Sequence, residues 1–177
     1  MDYKELLERF TYEDEMKIMR RISTVTANNY QENRDIINEI VLWKINRQPQ
    51  IDDELIDMIY SISNIHTPME AAENSRTIEV LKKLLNSKGM QLPMASTVLH
   101  FYYPDVYPII DQRAYRELYG IEYLKNTIRV ETLIEIYIKY IVDCFEYWQL
   151  RCPEISFSKI DKILYQIDKE RGFKVKY

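Results

Sequence analysis

The 177-residue chain is 46% hydrophobic and 29% charged, enough apolar matter for a sizeable core and too much for a disordered polymer. Its three glycines stand far below the usual share of about 7%, which argues against a β-sandwich or a doubly wound α/β fold, whose turns need glycine, and for helices. A net charge of −4 counts against indiscriminate nucleic-acid binding through bulk charge but leaves room for a local basic face.

In chain order, Asp2–Phe10 reads as a short helix with Leu6, Leu7 and Phe10 on one side. Thr11 caps a second helix, with acids in its first turn and Ile18, Met19 and Ile22 on its apolar face. After a break at Asn28–Asn29, Asp35–Asn46 is helical. Ile36, Ile37, Ile40 and Val41 face inward there, Trp43 is a further inward candidate, and Pro49 stops the helix. Asp52–Asn64 carries Leu55, Met58, Ile59 and Ile62 on one face. Thr67-Pro68 opens the next helix, since proline suits a first helical turn. Arg76–Asn86 follows, with Ile78, Leu81, Leu84 and Leu85 inward, and Ser87-Lys88-Gly89 ends it.

Leu92–Tyr102 restarts a helix with Pro93 in its first turn, and Tyr103–Pro108 is a rigid loop because each proline disfavours helix at the residue before it. Asp111 caps a helix that runs to Tyr119, where Gly120 closes it. Glu131–Leu150 is the longest helix and is apolar around much of its circumference, so a central, buried position is expected. Ser158–Glu170 is the last helix, with Ile160, Ile163, Leu164 and Ile167 inward. The fold expected is an all-α orthogonal bundle, a single domain over 1–177 or two small lobes sharing a cleft. A helix-hairpin-helix over about residues 76–119 is expected at its centre.

Cys144 and Cys152 match no metal-ligand spacing and cannot complete a four-cysteine iron–sulfur cluster; as free thiols they suggest a reducing, cytoplasmic compartment. His66 and His100 are too few and too scattered for a metal site, and no cofactor is expected. The N-terminal stretch lacks an apolar signal-peptide core, and no run of about 18 apolar residues offers a membrane span. The 15 tyrosines read first as packing at the rims of helices and second as stacking surfaces for bases.

Chemistry concentrates in Lys88–Arg113. A helix ends, glycine turns the chain, and a new helix N-terminus leaves backbone N–H groups beside Lys88 that suit a phosphate; the plainer reading is an ordinary αα-hairpin. Ala95 and Ser96 let the two helices approach closely. The apolar pair Ile109-Ile110 then delivers Asp111 to a helix start, where it can act as a plain N-cap, as a carboxylate that activates water or stabilises developing positive charge, or as both.

This stretch resembles the central signature of the helix-hairpin-helix DNA glycosylase superfamily. Gly89 falls on the first hairpin glycine, Ala95 on the small packing residue and Ile110 on the apolar residue before the acid, while Asp111, sixteen residues after Ala95, falls on the catalytic aspartate. Arg113 stands where the family often has histidine, Gln91 where it has the second hairpin glycine, and Pro93 where bifunctional members have the Schiff-base lysine. The resemblance covers about 30 residues and implies a double-stranded DNA partner and monofunctional N-glycosidic hydrolysis of a flipped base. It also implies Asp111 as the catalytic group, and Lys88, Gly89, Gln91, Leu92 and Arg113 as DNA contacts. Tyr102, Tyr103 and Trp43 are candidates for base stacking, with core burial the first reading of each. Trp43 and Lys44, with Arg47, end a helix, where cations also complement its dipole. Three readings therefore stand: a base-excision glycosylase, a DNA-binding module without catalysis, and a helical interaction or assembly module that keeps only the scaffold.

Overall fold

A computed structural model of the chain describes residues 3–8, 15–44, 49, 51–121 and 129–173, apart from the side chains of Leu6, Glu8, Glu15, Met16, Lys17 and Trp43. Among the described residues the secondary structure is helical throughout, in an all-α bundle. The order is α1 (Tyr3–Glu8), α2 (Glu15–Thr24), α3 (Tyr30–Lys44), α4 (Asp53–Ser61), α5 (Pro68–Glu73), α6 (Ser75–Asn86), α7 (Leu92–Tyr102), α8 (Gln112–Tyr119), α9 (Val130–Arg151) and α10 (Ile160–Glu170). The expected cap at Thr11, the cation Arg47 and the last lysines of the tail lie outside the described residues.

Local chemistry sets most helix boundaries. Asp52 caps α4 by accepting from Leu55 N at 2.8 Å. Thr67 and Glu70 form a capping box around Pro68 at the start of α5. Asn74 ends α5 and caps α6. Between the hairpin helices, Gly89 takes φ +83°, a left-handed turn that glycine enters without steric cost. Gly120 (φ +70°) closes α8 in the same way, donating its N–H to Arg116 O.

The expected boundaries need three adjustments. Helix α3 begins at Tyr30 rather than Asp35, because Asn33 is fully buried and its side-chain amide donates to Thr26 O and Asn29 O, 2.9 Å from each. Helix α4 stops at Ser61, short of Asn64. The last helix opens with a 3-10 turn over Phe157–Lys159 before α10.

Helix α7, not α9, is the central helix. Every side chain from Met94 to Phe101 is buried, as is Leu92. The helix contains no Asp, Glu, Lys or Arg, and its Ser96 and Thr97 hydroxyls donate to Pro93 O at 2.9 and 2.7 Å, so neither polar group is orphaned by burial. Helices α2, α3 and α6 pack on it. Helix α9 buries one stripe (Ile134, Tyr137, Tyr140, Ile141 and Cys144) against α5, α6 and α10, and Leu150 near its end is 81% exposed. Ile78, expected inward on α6, is instead an exposed position. Buried side chains from α2 to α10 join in one hydrophobic cluster.

Nothing stands within 4 Å of a Cβ added at Gly120, so the left-handed backbone alone should penalise a side chain there. Gly120→Ala should lower unfolding stability by about 1 kcal/mol in urea titration, and Gly120→Asn should recover part of that loss.

Candidate functional site around Asp111

The peptide leading into Asp111 is irregular and mostly buried, so its backbone polar groups need partners that no helix or sheet supplies. Side chains supply them. His100 Nδ1 lies 2.9 Å from Tyr107 O, and since a carbonyl can only accept, Nδ1 carries the proton. Tyr137 donates its hydroxyl to Pro108 O at 2.9 Å, and Tyr140 donates to Ile109 O at 3.0 Å. Ile109 N donates to Asp161 Oδ2 at 3.0 Å, and Ile110 N to Ser96 Oγ at 3.2 Å. The Tyr107 hydroxyl pairs with Thr77 Oγ1 at 2.9 Å. Helices α6, α7, α9 and α10 thus each contribute a hand to one short segment.

The titration of the three tyrosines suits their roles. Burial holds the Tyr137 and Tyr140 phenols well above their ordinary range, so both stay protonated donors at neutral pH. Burial pushes Tyr107 up to about 12, partly offset by its bond to Thr77.

Asp111 sits at the end of this segment as the N-cap of α8. Its Oδ1 accepts from Arg113 N and Ala114 N, both at 2.8 Å. Its Oδ2 faces Lys44 Nζ at 3.9 Å across the junction with α3. The two side chains keep 19% and 16% of their surface, so the carboxylate is largely but not wholly withdrawn from solvent. Burial raises the Asp111 pKa, and the Asp161 carboxylate adds to that; Lys44 and the two α8 amides oppose it. The group therefore serves as a cap through one oxygen and presents the other to a cation.

Of the hairpin residues, Lys88 and Gln91 are exposed, and Gly89 forms the turn. Gln91 is the N-cap of α7 without a side-chain capping bond, and the Leu92 side chain is buried, so Leu92 offers only its backbone. Arg113 is placed differently from a free phosphate contact. Its Nη1 donates to Asp168 Oδ2 at 3.0 Å and to Phe173 O at 3.1 Å, and its guanidinium stands 5.5 Å over the Tyr165 ring. Arg116 holds the same Asp168 at 2.6 and 2.7 Å, so this buried acid ties α8 to α10. Tyr102 and Tyr103 are half-buried; Tyr102 donates to Asn33 Oδ1 at 3.3 Å and Tyr103 to Ile59 O at 2.7 Å. They belong to a tyrosine cluster in which Tyr60 meets Tyr102 edge-on at 5.6 Å. Trp43 lies on α3 next to Lys44, and its side chain is outside the described ones.

The pattern of the sequence points to Asp111 and the hairpin but not to Lys44, Asp161, Tyr137 or Tyr140. Lys44 and Asp111 meet through tertiary packing alone. Asp161 did carry a signal: it shares a helical face with Leu164 and Asp168, at i, i+3 and i+7, within a buried stripe. Among the described residues, no group of three or more His, Cys, Asp or Glu side chains could hold a metal ion, and no helix is long and apolar enough to cross a membrane. No protein-family model, curated protein or solved structure matches the chain.

Asp111→Ala should cost about 1 kcal/mol through loss of the cap, whereas Asp111→Asn keeps an accepting oxygen and should not. Because burial raises the folded-state pKa of Asp111, ionisation penalises the fold. Relative to the wild type, Asp111→Asn should gain as pH rises from the ordinary carboxylate range through that raised value, and lose the gain below it; urea unfolding at a series of pH values reads this. Tyr137→Phe leaves Pro108 O buried without its donor and should lower stability by about 1–3 kcal/mol in the same assay.

Proposed function

We propose that the chain is a DNA-binding helix-hairpin-helix protein that hydrolyses the N-glycosidic bond of a flipped base, in the manner of monofunctional DNA glycosylases. The observation that carries this reading is the carboxylate of Asp111. A cross-braced backbone fixes it, two α8 amides aim it, and its Oδ2 faces a cation rather than a further cap. A structural N-cap needs only one oxygen and no such bracing.

In the proposed reaction a duplex binds with Lys88 and the backbone N–H groups of Gly89, Gln91 and Leu92 against a phosphate. One nucleotide leaves the stack, and Tyr102, Tyr103 or Trp43 is the proposed stacking partner of the base. The bond from C1′ to the base nitrogen breaks with its electron pair going to the base. Asp111 Oδ2 stabilises the positive charge that builds on the sugar and takes a proton from the water that attacks C1′. Pro93 stands where the Schiff-base lysine of bifunctional relatives would be, which supports hydrolysis without strand cleavage through that position.

A second reading, a DNA-binding or protein-assembly module without catalysis, draws support from the use of Asp111 Oδ1 as a helix cap and from the commitment of Arg113 to Asp168. Base release from duplexes bearing assorted lesions separates the two. Release by the wild type that falls by about 10²–10⁴-fold in Asp111→Asn is the expected result. Activity unchanged by that substitution rejects Asp111 as the catalytic group. Salt-sensitive duplex binding without release from any lesion favours the binding module, and neither property favours assembly. Lys88→Gln should weaken duplex binding for all sequences alike and flatten its salt dependence by about one counterion.

A further inference from the structure

We infer that Lys44, at the C-terminal end of α3, is a positioning residue that holds the Asp111 carboxylate with Oδ2 turned toward α3 and away from the α8 amides. Two amides of α8 already occupy Oδ1, so Oδ2 is the oxygen left to act, and Lys44 Nζ stands 3.9 Å from it. Both side chains are mostly buried, so solvent screens the pair far less than it would on the surface.

The other groups around the carboxylate do not replace Lys44. From α10, Asp161 is a like charge that favours protonation of Asp111. From α9, Tyr140 is a neutral phenol whose hydroxyl is spent on Ile109 O. From α7, His100 is turned to Tyr107 O. Within α8 itself, the Arg113 guanidinium points to Asp168 and Phe173, and Arg116 also holds Asp168. Lys44 is therefore the cation that offsets burial at Asp111 among the described residues. The placement also accounts for a lysine in a half-buried position at the end of α3, where a solvent-facing cation would serve the helix dipole equally well.

The consequence for base release rests on the glycosylase reading; the ion pair itself does not. The decisive measurement is a carboxyl ¹³C NMR titration of the full chain without DNA, with the Asp111 resonance identified by its loss in Asp111→Asn. Lys44→Met should raise the Asp111 midpoint by about one pH unit or more, the usual reach of an opposite charge at this distance, and Lys44→Arg should restore it. A midpoint unmoved in Lys44→Met overturns the inference, because a merely structural Lys44 would change unfolding stability and leave the titration alone. Lys44→Gln supplies the same charge loss with a polar side chain, and an unmoved midpoint there overturns the inference equally, should the methionine variant lose its near-UV circular dichroism. If base release is observed, its acid limb should move upward with the NMR midpoint. A shifted midpoint with no release by any variant retains the ion pair and rejects the glycosylase reading.

Discussion

The structure turns on one constraint: an irregular, mostly buried stretch of backbone must have its polar groups paired, and here no regular secondary structure can pair them. Tyr107 O, Pro108 O, Ile109 N, Ile109 O and Ile110 N are each met by a side chain, from His100, Tyr137, Asp161, Tyr140 and Ser96. Each bond has a modest net value, about 1 kcal/mol, yet each group left unpaired would carry a larger penalty. The segment therefore selects the packing of α7, α9 and α10 around it, since a helix that shifted would orphan a buried group. Asp111, the next residue, inherits a fixed position from this bracing.

The same constraint explains why α7 lies at the centre. Its small residues, Ala95 and Ser96, bring the peptide close enough for Ser96 Oγ to accept from Ile110 N while donating to Pro93 O. Larger side chains at these places would hold the segment away and leave its amides unmet. The neutral phenols of Tyr137 and Tyr140 fit the task for a related reason: burial suppresses their ionisation, so they remain donors, and their rings add apolar contact where a shorter hydroxyl would leave a void. Some of the tyrosine excess in the composition is thus core chemistry and not a surface for bases.

Much of the architecture was legible in the sequence because it depends on local signals. The helix starts at Thr67 and Asp111, the stops at Gly89 and Gly120, and the apolar faces of α3 and α10 follow from spacing and side-chain chemistry over a few residues. The errors arise where tertiary packing overrides local pattern. Helix α9 reads as buried all round because isoleucines encircle it, yet its inner stripe combines Ile134 and Ile141 with Tyr137, Tyr140 and Cys144, and Ile136 and Ile138 sit half-covered at the rim. Helix α7 is short and carries Ser, Thr and His, which obscures its central position until their partners are known. At the site, Asp111 was legible through its place after an apolar pair. Lys44 was not, since its meeting with Asp111 joins two distant stretches of chain. Arg113 was legible as a residue of α8 but not as the partner of Asp168, for the same reason.

Capping and chemistry need not compete at Asp111, because they use different oxygens. Oδ1 is saturated by two amides, which orients the carboxylate plane and withdraws that oxygen from other work. Oδ2 is left where a cation approaches without the short contact of a closed salt bridge, since 3.9 Å lies beyond direct hydrogen-bond reach. Both side chains keep part of their surface, and the cation beside Oδ2 offsets some of what burial costs the carboxylate. Burial and the Asp161 carboxylate favour the protonated form of this group, Lys44 and the two α8 amides favour the charged one, and the balance between them sets its ionisation.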